Sequence, residues 1–300
     1  MVKFLTVLFF PAFAFALGSA GVEEQRKYVF ENSLTRPQFE KLLKGTRGDF
    51  RYHYHSDYFS QDVYWDTKDQ NLKNAGLSLR LRRVKKGKAE FAYAFQIKSE
   101  MSKRDETRME IEYKDFFLEF SKGRPVTDWI NEFFDETDKR PQAAVALTEW
   151  FETKKGSSLG PIQELRRRGL EANEFEPRLI NRSERVRFHI YVDSKRPVET
   201  IGVVKQSAKE PEQVPEFFKK HSNFVWTAEG SLDFANFEPV AASRDGKFQV
   251  IELEIENKYR PRDIGSRLLE GAEKSGILNW NGKPSMESKY ARASSRFFSR

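Results

Sequence analysis

The chain has 300 residues, of which 32% are charged and 14% aromatic, with 27 phenylalanines and no cysteine. This is too aromatic for a disordered chain, and the missing thiols exclude a disulfide framework, a thiolate metal site, a cysteine nucleophile and a lipid-modified cysteine. A net charge of +7, from 52 basic and 45 acidic residues, favours an anionic partner. It lacks the long basic tract of a nucleic-acid-binding tail, so no specific nucleic-acid binding is expected.

The first twenty residues read as a secretory signal. Lys3 supplies the positive start, and Phe4 to Leu17 form an apolar run interrupted by Thr6 and Pro11. Gly18-Ser19-Ala20 then offers small residues for cleavage, with Ala14-Phe15-Ala16 as a second position. The apolar run is about 14 residues, short of the roughly 20 that span a bilayer. The expectation is a secreted or periplasmic protein with no membrane attachment after cleavage. Residues 21–300 are then read as one domain.

Beyond the signal, Val22 to Phe30 reads as a strand, and Thr35-Arg36-Pro37 opens a helix ending near Gly45. Phe50 to Asp66 and Leu77 to Val84 read as strands separated by a polar turn over Asp69 to Gly76. Lys85-Lys86-Gly87-Lys88 is a hairpin tip, followed by strands over Phe91 to Lys98 and Glu106 to Lys114. The period then becomes helical, through Trp129, Ile130, Phe133, Phe134, Ala144, Val145, Leu147 and Trp150. Residues 115 to about 176 are therefore expected to form a mostly helical insertion. Strands resume over Arg185 to Asp193, Glu199 to Gln206, Phe224 to Phe234 and Phe248 to Asn257. A helix over Pro261 to Lys274 and a tail around Pro284 to Tyr290 complete the chain.

Several of these strands carry a charge at every second position: Leu79-Arg80-Leu81-Arg82, Arg108-Met109-Glu110-Ile111-Glu112 and Ile251-Glu252-Leu253-Glu254-Ile255-Glu256. Side chains i and i+2 share a strand face, so each segment has one apolar and one ionic face. The economical architecture is α+β: an antiparallel barrel whose ionic faces line a wet lumen, with helical additions. The lumen candidates are the acids Glu23, Glu110, Glu112, Asp233, Glu252 and Glu254, and the bases Lys27, Arg80, Arg82, Lys98, Arg185, Arg187 and Lys289. Burying such a set dry and unpaired costs several kcal/mol per ion, on the order given by desolvation alone. A polyanion bound with divalent metal satisfies both signs. Carboxylates are the hard ligands that Mg²⁺ or Mn²⁺ prefers, while arginine forks and lysine ammoniums hold phosphate oxygens.

The residues also resemble a known family. Glu23-Glu24-Gln25-Arg26-Lys27 resembles the ExExK signature of CYTH domains, the triphosphate tunnel metalloenzymes, and Tyr64-Trp65-Asp66-Thr67 is similar to their YFDT segment. Gly76 to Arg82, Gln96-Ile97-Lys98, Arg108 to Glu112, Ser231-Leu232-Asp233, Gly246 with Glu252-Leu253-Glu254, and Ser288-Lys289-Tyr290 resemble, in order, their later motifs. The resemblance spans about residues 23 to 290. It implies an eight-stranded antiparallel tunnel and a metal-dependent triphosphatase acting on inorganic triphosphate or a small organic triphosphate. It also implies the roles. Arg80, Arg82, Lys98, Arg185, Arg187, Lys289 and Lys27 would hold phosphate; Glu23, Glu110, Glu112, Asp233, Glu252 and Glu254 would hold Mg²⁺ or Mn²⁺. Glu252, Glu254 and Lys27 are the catalytic candidates. Gln25 departs from the pattern: it stands where the signature has its second glutamate, and an amide can offer a carbonyl oxygen but no charge. Two alternatives follow, a VTC-like polyphosphate polymerase and a non-catalytic binder of polyphosphate.

Other features carry blander readings. His53 and His55 share a strand face without a third ligand, and the formal GxSxG of Gly156 to Gly160 lacks the strand and helix that an elbow needs. Arg166-Arg167-Arg168 reads as a solvated helix face. The Asn181-Arg182-Ser183 sequon falls where a strand should start.

Overall fold

The computed structural model describes residues 19–30, 34–45, 50–86, 90–100, 107–114, 119–153, 158–171, 174–193, 216–220, 224–241, 246–257 and 282–298. The chain begins with β1 (Ser19–Phe30), α1 (Arg36–Gly45), β2 (Phe50–Asp66), α2 (Asn71–Asn74), β3 (Leu77–Lys86), β4 (Glu90–Ser99) and β5 (Thr107–Tyr113). A small hairpin, β6 (Phe120–Ser121) and β7 (Arg124–Pro125), leads into α3 (Val126–Asp135), α4 (Arg140–Glu152) and α5 (Gly160–Arg167). Then come β8 (Glu176–Asp193), α6 (Glu216–Lys220), β9 (Phe224–Pro239), β10 (Phe248–Asn257), β11 (Lys283–Pro284) and α7 (Lys289–Phe298).

The strands follow the order β10-β9-β8-β2-β3-β4-β5-β1, and β1 pairs back onto β10, so the sheet closes. Every pairing is antiparallel. The antiparallel barrel expected from the alternating charges, with the eight strands that the resemblance implies, is therefore the observed fold. Closure runs through β1 alone: Ser19 to Glu24 pair with β5, and Gln25 to Phe30 pair with β10. β11 adds a short ninth strand beside Tyr28 and Val29 of β1.

Apolar residues alternating with the charges face outward and are covered from two sides. Leu79, Leu81, Phe95 and Ile97 belong to a buried cluster with Trp129, Ile130, Phe133, Leu147, Trp150 and Phe151 of α3 and α4, and with Ile162 and Leu165 of α5. Phe95 stacks on Phe151 with centroids 5.0 Å apart and planes 12° apart. Pro141 and Pro161 fall in the first turns of α4 and α5, where a missing N–H costs nothing. Gly169 adopts a φ of 74° just after α5, a left-handed conformation that suits glycine. Elsewhere, α1 lays Phe39 on Phe188 among Phe50, Ile190 and Leu232. Gly230 permits this packing, because a Cβ there would lie 2.1 Å from the Phe188 ring.

The helical insertion holds α3 to α5 and gives way at Glu176 to β8, which begins nine residues before the expected Arg185. Its first half carries Pro177, Arg178 and the Asn181 sequon, which mask a strand pattern that only the pairing with β2 and β9 reveals. The tail around Tyr290 is instead the entry to α7. The expected strand over Glu199 to Gln206, the helix over Pro261 to Lys274 and most of the signal segment lie outside the described residues. Among the described residues no helix is long and apolar enough to cross a membrane.

Candidate functional site

Register, rather than proximity in sequence, assembles the lumen. Opposed cross-strand pairs place Lys98 against Glu110, Arg80 against Gln96 and Tyr64, Arg82 against Asp62, Arg185 against Asp233, Asp233 against Glu252, and Lys27 against Glu254. Each of these pairs alternates with the outward apolar residues already described. A cavity of about 220 Å³ lies among Arg82, Lys98, Glu110, Arg185, Arg187 and Glu254. A smaller space of about 40 Å³ adjoins it, lined by Lys27, Arg80, Glu252 and Lys289, and the two share Lys98, Arg185 and Glu254.

The acidic centre is the trio Asp233, Glu252 and Glu254, whose carboxylate oxygens come within 4.8 Å of one another. All three are buried, Glu252 completely. Lys289 reaches into this trio from the first residue of α7: its Nζ bonds Asp233, stands 2.8 Å from Glu252 Oε1 and 3.9 Å from Glu254 Oε1. Arg185 holds Asp233 from the other side and lies 3.4 Å from Glu254. Burial works against charge on both Asp233 and Lys289. The opposed ions outweigh it, lowering the Asp233 carboxyl and raising the Lys289 ammonium. Lys289 thus stands among the three carboxylates as their counter-ion.

The same trio fits a divalent cation. Among the described residues the buried Glu252 Oε2 has no hydrogen-bond partner and Oε1 meets the Lys289 ammonium, and three hard carboxylates are the donor set that Mg²⁺ or Mn²⁺ takes. Glu110 and Glu112, named with them from the sequence, fall outside this group. Lys98 Nζ lies 2.5 Å from Glu110 Oε2, and Gln96 donates to both Glu110, at 2.9 Å, and Glu112. Glu112 also meets the exposed Lys114. Glu23 lies on β1, opposite Arg108 of β5; its side chain and that of Gln25 lie outside the described residues.

The basic set is brought together with one residue that the charge pattern did not single out. Asp62, wholly buried on β2, accepts from Arg82 Nε at 2.6 Å and Arg82 Nη2 at 2.9 Å, and from Asn181 at 3.0 Å. Arg80 lies 3.7 Å away. Burial raises the carboxyl's pKa, yet Arg82 and Arg80 together hold it far below the usual range. Arg80 is further fixed by Gln96 at 2.7 Å and by the Tyr64 hydroxyl at 3.3 Å. Arg187 pairs with Glu229, and Lys27 Nζ donates to the Glu287 carbonyl at 3.3 Å. Asp62, Glu229, Tyr58 and Glu256 join the lumen without having been expected there. For Glu256 the signal is its place as the continuation of Glu252 and Glu254, whereas Asp62 carries no comparable local signal.

α7 packs against the barrel beside Tyr64. Tyr290 stacks on Tyr64 with centroids 5.0 Å and planes 15° apart, and its hydroxyl donates to Asp66 at 2.7 Å. Asp66 in turn accepts from the backbone N–H groups of Thr67, Leu72 and Lys73, tying the YFDT-like segment to α2 and α7 together. Beyond Arg187 and Glu229 lie the histidines. His55 and His189 have ring centroids 4.6 Å apart, and His189 meets the Trp226 ring at 5.2 Å. Burial and His55 push His189 down to about 4, so His189 is neutral above that pH. On α5, the buried Glu164 accepts from both Arg167, which is exposed, and Arg168, which is half-buried.

No family model matches the chain, and no curated protein matches it. Solved structures do. A Bacillus halodurans protein provisionally described as an adenylate cyclase is 16% identical, with 93% of this chain and 99% of that one covered and a TM-score of 0.45. A Hippeastrum protein, provisionally an adenylyl cyclase and described as having a dominant triphosphatase activity, is 13% identical over 92% and 96% of the two chains, with a TM-score of 0.41. The Mimivirus capping enzyme triphosphatase is 8% identical over 83% and 88%, with a TM-score of 0.27.

Proposed function

We propose that this protein is an exported, divalent-metal-dependent triphosphatase that takes inorganic triphosphate or a small organic triphosphate into its lumen. One observation carries the reading: in a buried carboxylate trio, Asp233, Glu252 and Glu254, Glu254 lines a cavity walled by Arg82, Lys98, Arg185 and Arg187, and Glu252 lines the smaller space beside it. Mg²⁺ or Mn²⁺ held by the trio supplies Lewis-acid charge and an acidified water when bound. The chain's own part is electrostatic. Arg80 and Arg82, pinned by Asp62 and Gln96, present fixed donors to phosphate oxygens, and Lys98, Arg185 and Arg187 oppose charge that grows on a departing phosphoryl group. Lys27 and Lys289 act as further point charges at the start of α7. Export is supported by the signal-like first twenty residues. The pairing of Ser19 and Ala20 with β5 favours removal at the Ala14-Phe15-Ala16 position, which leaves β1 whole.

The test is phosphate release from tripolyphosphate with and without Mg²⁺ or Mn²⁺, run beside Glu252→Gln. Metal-dependent release that falls at least about 100-fold in the variant is the expected outcome, on the scale of losing one electrostatic stabiliser. The second reading, a polyphosphate binder without turnover, is favoured by Gln25, which removes a charge from the signature. Tight tripolyphosphate binding with no metal-dependent release would select it. Chain growth from ATP would select a polymerase instead.

A further inference from the structure

The proposed metal trio already contains a cation. Lys289 contacts all three carboxylates through one ammonium, at Asp233 Oδ2, at Glu252 Oε1 (2.8 Å) and at Glu254 Oε1 (3.9 Å). A divalent ion of the Mg²⁺ or Mn²⁺ type takes carboxylate oxygens at about 2.0–2.2 Å, so it and the ammonium cannot share that position. Arg185 is the less mobile of the two basic partners, since its planar fork binds Asp233 through two nitrogens from within β8. Lys289 is a compact charge on a flexible stem, at the first position of α7. It also borders the small space lined by Lys27 and Arg80, where a phosphate oxygen would give it a new partner.

We propose that Lys289 is an internal competitor of the metal: it holds the Asp233–Glu252–Glu254 site in the ligand-free protein and leaves it for phosphate. Metal and phosphate then bind cooperatively, because each draws Lys289 in the direction that the other needs, and the coupling is reciprocal. An ammonium that simply left the trio would be buried without a counter-ion, so the metal alone should displace it poorly. The inference rests on the metal-site reading above and concerns the order and coupling of binding, not the reaction.

Mn²⁺ binding, followed by loss of the free-ion paramagnetic resonance signal, tests it without turnover. Lys289→Met keeps an unbranched stem one atom shorter and removes the charge. The expected result is Mn²⁺ binding at least tenfold tighter in Lys289→Met than in the unaltered protein. Saturating sulfate, as a stable tetrahedral anion, should tighten Mn²⁺ binding to the unaltered protein and leave the variant unchanged. Equal or weaker Mn²⁺ binding by Lys289→Met overturns the competition while leaving the metal site intact. No Mn²⁺ binding by either protein overturns both this inference and the metal site, and Glu252→Gln marks the background. Should Lys289→Met not fold, the unaltered protein still decides. Its Lys289 ammonium resonance, identified by its absence in Lys289→Arg, must move when Mg²⁺ is added together with sulfate; a stationary signal under saturating binding overturns the proposal.

Discussion

The two faces of β3 and β4 make opposite demands on sequence. Outward, Leu79, Leu81, Phe95 and Ile97 pack under α3, α4 and α5; inward, Arg80, Arg82, Gln96 and Lys98 face the lumen. The outer face draws its stability from area and close packing, which tolerate exchange among apolar residues of similar volume. The inner face gains little net stability from its ion pairs, because desolvation opposes the attraction. There the identity of each charge matters more than the area it covers. The fold is thus supported from outside the barrel, and the inside is left free to be specified by chemistry.

Three substitutions test that division. The largest effect belongs to the outer layer. Phe151→Ala removes a buried ring stacked on Phe95 and should cost about 4 kcal/mol in a urea titration, with phosphate release per folded molecule unchanged. A loss of hydrolysis without a loss of stability would break the separation of faces. Next is Asp62→Asn, which keeps the shape but leaves Arg82 and Arg80 without their buried counter-ion. It should cost about 3 kcal/mol at neutral pH and raise the Michaelis constant for triphosphate by loosening both guanidiniums. The folded-state pKa of Asp62 is depressed. Its stabilisation is therefore complete above its unfolded value, roughly 4, and fades only as pH falls through the folded value. The stability gap between the two proteins should persist down to about pH 4 and close in stronger acid; a gap that closes between pH 7 and 5 would contradict the ion-pair account.

The smallest effect belongs to a charge outside both layers. Glu164 on α5 is held at about 2, first by its hydrogen bond from Arg167 and then by Arg168. Arg167 is exposed and Arg168 partly so, and solvent at these two guanidiniums weakens the pairing although Glu164 is itself buried. Glu164→Gln should cost only about 0.5 kcal/mol, and less in high salt. The difference should hold above about pH 4.5 and vanish as pH falls toward 2. A salt-insensitive cost near that of Asp62→Asn would show that helix-face charges weigh as much as lumen charges, and would erase the distinction.

Much of the lumen is legible in the amino-acid sequence. Alternation places Arg80, Arg82, Lys98, Arg185, Glu252 and Glu254 on inward faces because the two-residue period is a property of the extended backbone. The strand boundaries of β2 and β10 are readable for the same reason. Less legible are the first half of β8, where Pro177 and a polar sequon hide the pattern, and α7, whose short amphipathic stretch follows a turn-like segment. Asp62 is hidden in plain view. A lone acid near Tyr64 says nothing until Arg82 and Asn181, which is 119 residues away, close on it.

The sequence by itself determined the two-faced strands, the apolar helices that cover them and the signs of the charges inside, since these follow from local periodicity. Only the tertiary structure decided which charges meet. The register across eight closed strands draws Asp233, Glu252 and Glu254 together and leaves Glu110 and Glu112 with Lys98 and Gln96. The docking of α7 delivers Lys289 into that trio. Those encounters depend on closure through β1 and on a helix packed against the barrel, and no local pattern encodes either one.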